Sequence, residues 1–280
     1  MPSRTDLKSG YVSSGAAKIY FESAGTGPDL VFVHAGVSDS RMWDPQFDAF
    51  AASYRVVRYD HRGFGKSKMP EGAYALRDDL LAVLRYLGIE KATFVGCSMG
   101  GGTVIDFALE HPEMVTALVL VGSGLSGWND PSQLSRDTIK YWTELMIAVQ
   151  DGDVDRACEM DAKYWLDGPT REASQIDRAY RVRARELHRE NFSLANFARV
   201  EEPLKPLAIG RLNEIAVPTL VVIGDHDSDD LIKLADRLAG EIPHARRITI
   251  KDSAHLPSLE HPAEFNGLLT DFLTRLPRTK

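Results

Sequence analysis

Short apolar runs alternate with amphipathic stretches between residues 30 and 121. Leu30–Val33 and Val115–Val121 are apolar runs of strand length, which is typical of strands that are buried on both faces of a sheet. Tyr74–Leu87 places leucines at positions 76, 80, 84 and 87 on one face of a predicted helix, and Gly88 follows it as a common helix terminator. This alternation predicts an α/β fold, with a mostly parallel, doubly wound sheet that carries helices on both faces.

Further segments extend the same pattern along the chain. Partial alternation around a Ser-Ser-Gly turn predicts a short hairpin over residues 11–22. The other predicted strands are Tyr54–Tyr59, Thr93–Val95, Leu220–Ile223 and Ala245–Ile250. The other predicted helices are Trp43–Ala52, Thr103–Glu110, Leu231–Ala239 and Pro262–Leu273. Strands therefore occur at both ends of the chain, and a single sheet can unite them.

The strand pattern is interrupted in the middle of the chain. Residues 125–212 predict helices only, separated by turns at Asp151-Gly152, Asp167-Gly168-Pro169 and Glu202-Pro203. The simplest organisation is an α/β core formed by residues 1–124 and 213–280, into which residues 125–212 are inserted as a helical cap, or lid.

A Gly-x-Ser-x-Gly motif lies where one predicted strand passes into a helix. Gly96-Cys97-Ser98-Met99-Gly100 follows Thr93–Val95 and precedes Thr103–Glu110. Strand, tight turn and helix form the context in which this motif lifts a serine hydroxyl above the sheet edge. The helix that begins beside Ser98 directs free N–H groups and the positive end of its dipole toward that hydroxyl. Ser98 is therefore the candidate nucleophile, while Cys97 is expected to point away from the site.

A serine nucleophile needs a base, and the base needs a carboxylate that orients it. Of the eight histidines, His255 directly follows the predicted strand Ala245–Ile250, so we assign it the base. Aspartates at 225, 227, 229 and 230 follow the preceding strand. Asp227 is our choice for the acid, with Asp225 in reserve. The order Ser98, Asp227, His255 is the nucleophile–acid–base order expected of an elbow serine.

An oxyanion hole requires backbone N–H groups close to the nucleophile. The loop after Leu30–Val33 contains His34-Ala35-Gly36, and Met99 follows the nucleophile directly. We therefore place one donor at Gly36 and the other at Met99. Four chain segments thus supply the parts of one site in the order that a single fold requires.

Composition and charge argue against several other classes of function. The 280 residues are 44% hydrophobic and 26% charged, with a net charge of −7, which gives no global attraction to nucleic acid or an anionic membrane. No apolar run approaches the ~20 residues that span a bilayer, residues 1–10 carry no signal-peptide pattern, and two cysteines make no disulfide framework. We expect a cytoplasmic protein without nucleic-acid or membrane partners, metal site or cofactor. Its oligomeric state, including a homo-oligomer, is open.

Five motifs together resemble the α/β-hydrolase fold superfamily, and the resemblance covers nearly the whole chain. They are His34–Gly36, Asp60–Ser67, Gly96–Gly101, Gly224–Asp227 and His255–Pro257. Within that superfamily the chain is similar to capped bacterial hydrolases, which include 3-oxoadipate enol-lactonases, esterases, C–C bond hydrolases and cofactor-free haloperoxidases. The family pattern places the acid at the aspartate that ends Gly-x-x-Asp, which favours Asp227. It usually has glycine where Ala35 stands, so the N–H of Val37 is an alternative to that of Gly36.

These features predict a serine hydrolase that cleaves a small-molecule ester or lactone through an acyl-enzyme on Ser98. Hydrolysis of a C–C bond in a meta-cleavage-type diketone acid is a close alternative, because Gly-x-Ser-Met-Gly-Gly resembles that branch of the superfamily. The third hypothesis is a ligand receptor that has reused a hydrolase scaffold.

The cap is expected to determine the substrate. Ile139, Trp142, Leu145, Met146 and Val149 share one face of a predicted helix, which either packs or walls an apolar pocket over the nucleophile. The predicted pocket residues are His34, Val37, Trp128, Trp142, Trp165 and Leu256. Arginines at positions 171, 178, 181, 183, 185 and 189 cluster in the cap. They either bind an anionic substrate or form a salt-bridged surface.

Overall fold

The computed structural model describes residues 6–128, 134–193 and 201–277. Within them, eight strands form one sheet in the spatial order β1-β2-β4-β3-β5-β6-β7-β8. The strands are β1 (Lys8–Ser14), β2 (Ala17–Ala24), β3 (Asp29–Val33), β4 (Arg55–Tyr59), β5 (Ala92–Cys97), β6 (Val115–Val121), β7 (Thr219–Gly224) and β8 (Ala245–Ile250). This α/β sheet confirms the predicted fold class, including the hairpin of β1 and β2 near the start of the chain.

The strands from β3 to β8 are parallel, and only β1 and β2 run against their neighbours. The carboxyl ends of the parallel strands therefore meet at one edge of the sheet. The register places Val33 beside Gly96 and Val121 beside both Cys97 and Val222. The loops that follow β3, β5, β6 and β7 consequently start at nearly the same level, at the edge where open α/β sheets bind ligands.

Helices cover both faces of the sheet. They are α1 (Asp44–Phe50), α2 (Leu76–Leu87), α3 (Met99–Glu110), α4 (Arg136–Gln150), α5 (Val154–Ala162), α6 (Arg178–Asn191), α7 (Asp229–Glu241), α8 (Pro257–Glu260) and α9 (Pro262–Thr274). One core cluster joins Val31 and Phe94 to α2, α3 and α7, and the other joins Leu30 and Val95 to α1 and α9. Successive residues of one strand thus face opposite helical layers, which explains the unbroken apolar runs.

The segment between β6 and β7 is mainly helical, and we call it the helical insertion. It contains α4, α5, a π-helical turn over Lys163–Asp167, and α6. Glu201, near its end, forms an isolated bridge with Tyr74. Leu166 and Ala184 belong to the second core cluster, so the insertion packs onto the sheet domain through buried apolar side chains. Among the helices that the structure describes, none is both long enough and apolar enough to cross a membrane.

The predicted packing face of α4 is wrong in two positions. Ile139 and Trp142 are 41% and 39% exposed. The residues that α4 buries are Thr138, Tyr141, Leu145 and Ala148. The Thr138 hydroxyl bonds to that of Tyr164, and the Tyr141 hydroxyl donates to Asp161. These hydrogen bonds compensate for the burial of polar groups. They allow the face of α4 that carries Thr138 and Tyr141 to be buried, although hydrophobicity alone does not predict this.

Candidate active site

Ser98 occupies a strained turn between β5 and α3. Its backbone has φ 53° and ψ −116°, a conformation that costs a non-glycine residue about 1–3 kcal/mol. Its N–H donates to the carbonyl of Val121 at 2.9 Å, and its own carbonyl accepts the N–H groups of Gly102 at 3.0 Å and Gly124 at 2.8 Å. These bonds tie the turn to the end of β6. Ser98 is thereby held at the carboxyl edge of the sheet, where sequence reasoning placed it.

Glycines beside Ser98 allow α3 to approach the sheet closely. A Cβ on Gly100 would lie 2.3 Å from the carbonyl oxygen of Val33, whereas one on Gly102 would meet nothing closer than 3.5 Å. We expect Gly100→Ala to lower the free energy of unfolding by about 3 kcal/mol or more, because backbone must move. Gly102→Ala should be neutral or stabilise by up to about 1 kcal/mol, because alanine favours the helix. Urea denaturation measures the free energy of unfolding of both variants. Equal values for Gly100→Ala and Gly102→Ala would contradict the close approach of α3 to the sheet.

Asp227 and His255 form a buried hydrogen-bonded pair. His255 Nδ1 lies 2.9 Å from Asp227 Oδ2, and the two side chains are 1% and 2% exposed. The other carboxylate oxygen of Asp227 accepts the N–H of Ser228 at 2.8 Å. Asp225, the reserve choice, is exposed, and its carboxylate accepts the N–H of Ser253 at 3.2 Å. The geometry thus selects Asp227 as the carboxylate that orients the histidine.

Gly122 brings this pair close to the serine turn. It follows β6 with φ 47°, and a Cβ there would lie 3.1 Å from His255 Nδ1 and 3.2 Å from Asp227 Oδ2. Its neighbour Val121 accepts the N–H of Ser98. The end of β6 therefore contacts both the serine turn and the Asp–His pair, and a larger residue at 122 would push the pair aside.

Gly36 and Met99 also lie next to each other. A Cβ on Gly36 would be 3.6–3.8 Å from three side-chain atoms of Met99. Met99 is the first residue of α3, so its N–H belongs to the helical turn that has no intrahelical acceptors. Ala35 and Gly36 both lack a positive φ, which explains how the loop accommodates alanine at position 35. Both proposed oxyanion donors are thus on the side of the sheet edge that carries Ser98.

His34 is completely buried. Its Nε2 accepts the N–H of His61 at 2.8 Å, and its Nδ1 lies 2.8 Å from the carbonyl oxygen of Ala35. With Nε2 accepting, Nδ1 carries the proton and donates to Ala35. Both ring nitrogens therefore bond to backbone groups, and His34 holds the loop that carries Gly36.

The three tryptophans predicted for the pocket have different surroundings. The ring of Trp165 lies 4.6 Å from that of His255, between centroids. Trp128 packs against the first core cluster, with the guanidinium of Arg237 5.7 Å from its ring. Trp142 is 39% exposed on α4, and its ring lies 5.1 Å from that of Tyr141, between centroids. Val37 and Leu256 belong with Trp165 to the buried layer around the second core cluster.

Sequence reasoning missed a buried ion pair beside the histidine loop. Arg171 and Glu260 are each 3% exposed, and Arg171 Nη1 lies 2.7 Å from Glu260 Oε1. Arg171 also donates to the carbonyl of Asp252 at 2.7 Å. Glu260 accepts the hydroxyl of Ser253 at 3.1 Å and the N–H of Ala254 at 3.0 Å. The pair therefore clamps the residues that lead into His255 and ties them to the insertion.

Four of the five remaining arginines of the cluster, at positions 181, 183, 185 and 189, favour the salt-bridged alternative. Arg181 and Arg185 both bond to the carboxylate of Asp167. Arg183 pairs with Asp44 and with Glu186, and Arg189 pairs with Asp155. Hydrogen bonds from Arg181 and Arg185 outweigh burial and hold the pKa of Asp167 below its usual value. Acidic side chains of the protein itself thus neutralise most of this cationic surface.

Cys97 does not compete with Ser98 as the nucleophile. It is fully buried in the second core cluster, with Sγ 3.7 Å from the carbonyl oxygen of His255. Burial, followed by the nearby Asp227 carboxylate, raises the pKa of its thiol well above the usual value, so the reactive thiolate is disfavoured. Among the described side chains, no group of three or more His, Cys, Asp or Glu residues is arranged to hold a metal ion.

Comparison with known proteins identifies the family of this chain. A family model described as "alpha/beta hydrolase fold" matches residues 28–262. A 2-hydroxy-6-oxononadienedioate/2-hydroxy-6-oxononatrienedioate hydrolase of Paraburkholderia phymatum is 33% identical over 91% of this chain and 91% of its own. The 3-oxoadipate enol-lactonase 1 of Acinetobacter baylyi is 25% identical over 88% of each chain.

Solved structures extend the similarity to the whole fold. The structure of Est816, described as an N-acyl homoserine lactone degrading enzyme, has a TM-score of 0.78 and 29% identity, covering 94% of this chain and all of its own. The shared sheet, the serine turn and the match to the family model lead to one conclusion. The chain belongs to the alpha/beta hydrolase fold family and is an enzyme of the hydrolase class.

Proposed function

We propose that this protein is a serine hydrolase that cleaves a small-molecule ester or lactone, with Ser98 as nucleophile, His255 as base and Asp227 as the orienting acid. The observation that carries the proposal is the buried 2.9 Å bond between His255 and Asp227 beside the strained turn at Ser98. This arrangement argues against a receptor without catalytic activity, because burying an ionisable pair next to a strained turn costs stability.

In the acylation step, His255 Nε2 takes the proton of the Ser98 hydroxyl as Ser98 Oγ attacks the carbonyl carbon. The carbonyl oxygen becomes negatively charged and accepts the N–H groups of Met99 and Gly36, near the positive end of α3. Asp227 accepts from Nδ1–H, so it fixes the tautomer and stabilises the imidazolium. Collapse breaks the bond to the alkoxy group, which leaves with the proton held by His255.

Deacylation repeats the same steps with water. His255 takes a proton from the water as the water attacks the acyl carbon, and the proton then returns to Ser98 Oγ when the acyl–serine bond breaks. In a lactone, the alkoxy group remains attached to the acyl chain, so one hydroxy acid is released. The same two N–H donors serve both steps, because both intermediates carry the negative oxygen in one place.

The helical insertion is proposed to act as a cap over this site, spanning residues 125–212. Trp165 contacts His255, and Thr170 Oγ1 lies 3.0 Å from Nδ1 of His226, which follows β7. Asn191 reaches the loops after β3 and β4, where it bonds to Asp39 and accepts the N–H of Gly65. We propose that Val37, Leu256 and Trp165 wall the acyl or alcohol pocket, since they surround the edge that carries Ser98.

Hydrolysis of a C–C bond is the second candidate, and the relative from P. phymatum favours it, since its name is that of a dienedioate hydrolase. A dioate carries two carboxylates, which need cationic partners in a site. In this chain, Arg171, Arg181 and Arg185 are occupied by Glu260 and Asp167. The ester or lactone hypothesis therefore fits the charges of the insertion better.

A substrate panel tests this proposal. Purified protein should hydrolyse p-nitrophenyl acetate and an aliphatic or enol lactone with kcat/KM at least about tenfold above that for a meta-cleavage-type diketone acid, the factor that 1.4 kcal/mol in transition-state binding provides. A fluorophosphonate should add covalently to the peptide that contains Ser98, as read by mass spectrometry. Turnover of the diketone acid alone would transfer the assignment to C–C hydrolysis, and no turnover with no adduct would contradict a serine hydrolase.

A further inference from the structure

Trp165 contacts both the ring and the backbone of His255. The two ring centroids are 4.6 Å apart, with 41° between the ring planes, and the N–H of His255 points to the carbonyl oxygen of Trp165 at 3.4 Å. Trp165 lies in the π-helical turn Lys163–Asp167, an irregularity that is frequent at functional sites. This turn therefore places an aromatic ring of the insertion against the ring of the proposed base.

Buried hydrogen bonds hold the indole from its far end. The indole N–H of Trp165 donates to the hydroxyl of Tyr141 at 2.9 Å, and that hydroxyl donates to the carboxylate of Asp161. Tyr141 and Asp161 are each 7% exposed. Burial, followed by the Asp161 charge, raises the pKa of Tyr141 well above its usual value. The phenol therefore keeps the proton that it donates, and the indole orientation is fixed.

A histidine balances the charge at the end of this chain. His188 Nε2 lies 2.7 Å from Asp161 Oδ2, and His188 Nδ1 lies 3.5 Å from Cys158 Sγ. Burial opposes the charged form of His188, but the hydrogen bonds and charges of Asp161 and Cys158 together outweigh burial and raise the pKa of His188 to about 9. His188 is thus cationic at neutral pH. The hydrogen-bonded network of His188, Asp161 and Tyr141 is balanced in charge, and each member has a hydrogen-bond partner. A buried polar network needs both properties in order to specify one geometry.

We propose that Trp165 is a positioning residue for His255. Trp165 stabilises the imidazolium that His255 forms during catalysis, and Tyr141 and Asp161 orient Trp165 itself. The inference rests on the proposed function, because His255 becomes cationic when it takes the proton of Ser98. The face of an aromatic ring attracts a cation within about 6 Å of its centroid. Since the imidazolium forms on the way to each tetrahedral intermediate, this attraction is stronger in the transition state than in the ground state and raises kcat.

A pocket wall without this role would have a different kinetic signature. A wall contacts the substrate equally in the ground state and the transition state, so its loss mainly raises KM. Loss of the attraction between Trp165 and the imidazolium lowers kcat instead. For a cation–π contact of ordinary strength, we expect a total effect of about 3- to 30-fold on kcat.

Fluorinated tryptophan separates these roles, because fluorine withdraws electron density from the ring face while the ring keeps its shape. The full-length protein containing mono-, di- and trifluorotryptophan should show a stepwise fall in kcat for p-nitrophenyl acetate, with little change in KM. The chain has four tryptophans, so the control is the same fluorination series in the Trp165→Phe variant. There, fluorination of the other three tryptophans should not change kcat relative to the unfluorinated variant.

A matched pair of tyrosine variants tests the supporting chain. Tyr141→Phe removes the acceptor of the indole N–H, whereas Tyr180→Phe removes a buried hydroxyl that donates to the carbonyl of Leu166 at 3.2 Å. Tyr141→Phe should lose more stability than Tyr180→Phe, because the Tyr141 hydroxyl makes two hydrogen bonds and that of Tyr180 makes one, at about 1 kcal/mol each. Only Tyr141→Phe should lower kcat, by about threefold or more. Equal kcat in the two variants, or a kcat that fluorination leaves unchanged, overturns the inference. Activity that survives in Ser98→Ala would instead overturn the proposed function.

Discussion

Replacement of Ser98 by alanine should lower kcat/KM for p-nitrophenyl acetate by about 10⁴- to 10⁶-fold. The activity that remains should be the residual rate that substrate binding and an oxyanion hole provide without a nucleophile. The expected loss follows from the chemistry, since no other described group in the turn can form the acyl intermediate: the thiol of Cys97 is buried and points into the core. Single-turnover and steady-state kinetics on the same preparation measure the effect. Ser174→Ala, at an exposed position of the insertion, is the matched control and should retain full activity.

The same position should show a trade-off between activity and stability. With φ 53° and ψ −116°, Ser98 has a backbone conformation that glycine adopts without a Cβ penalty. Ser98→Gly should therefore be as inactive as the alanine variant, yet more stable than the wild type by about 1–3 kcal/mol. Thermal and urea denaturation of the three proteins would decide this. If the glycine variant is no more stable than the alanine variant, the strain at Ser98 is not real.

Asp227→Asn should lower kcat by about 10⁴-fold at neutral pH while leaving the fold intact, the size of effect known for a triad that loses its carboxylate. The reason is the tautomer of His255. A carboxylate at 2.9 Å from Nδ1 requires the proton on that nitrogen and leaves Nε2 free to accept from Ser98. An amide of the same shape can donate to Nδ1, which stabilises the opposite tautomer. Circular dichroism should be unchanged, and the loss should appear in kcat more than in KM.

Asp225→Asn provides the control for that experiment. Asp225 belongs to the same loop, and its carboxylate is exposed and accepts the backbone N–H of Ser253 at 3.2 Å. An asparagine can accept the same bond, so we expect a loss of less than about tenfold, within one ordinary hydrogen bond. A reversal, with Asp225→Asn inactive and Asp227→Asn active, would reassign the acid and contradict the geometry described above.

The amino-acid sequence predicted the α/β core because burial on both faces leaves a strong local signal. Runs such as Leu30–Val33 and Val115–Val121 are apolar at nearly every position, since successive side chains enter opposite helical layers. The proposed triad was also predictable, for a topological reason. Parallel strands end at one edge, so Ser98, Asp227 and His255 come together once each is known to follow a strand, however far apart they are in the chain.

The helical insertion was less predictable, because its organisation depends on polar contacts between distant residues. The face of α4 predicted from hydrophobicity was wrong at Ile139 and Trp142, which are exposed, whereas Tyr141 is buried and bonds to Asp161. The arginine-rich stretch was consistent with two roles until ion pairs to Asp167 and Glu260 became visible. A residue type cannot reveal whether its charge is paired, because the partner lies on another element.

By itself, then, the sequence determined the sheet, the position of the serine turn and the order of the three proposed catalytic residues, because local periodicity and strand-end placement govern all three. Tertiary structure alone decided how Arg171 and Glu260 hold the histidine loop, and that the ring of Trp165 lies 4.6 Å from that of His255, between centroids. Those contacts join residues that are far apart in the chain, and their free energy depends on distances of a few ångströms that no local pattern encodes.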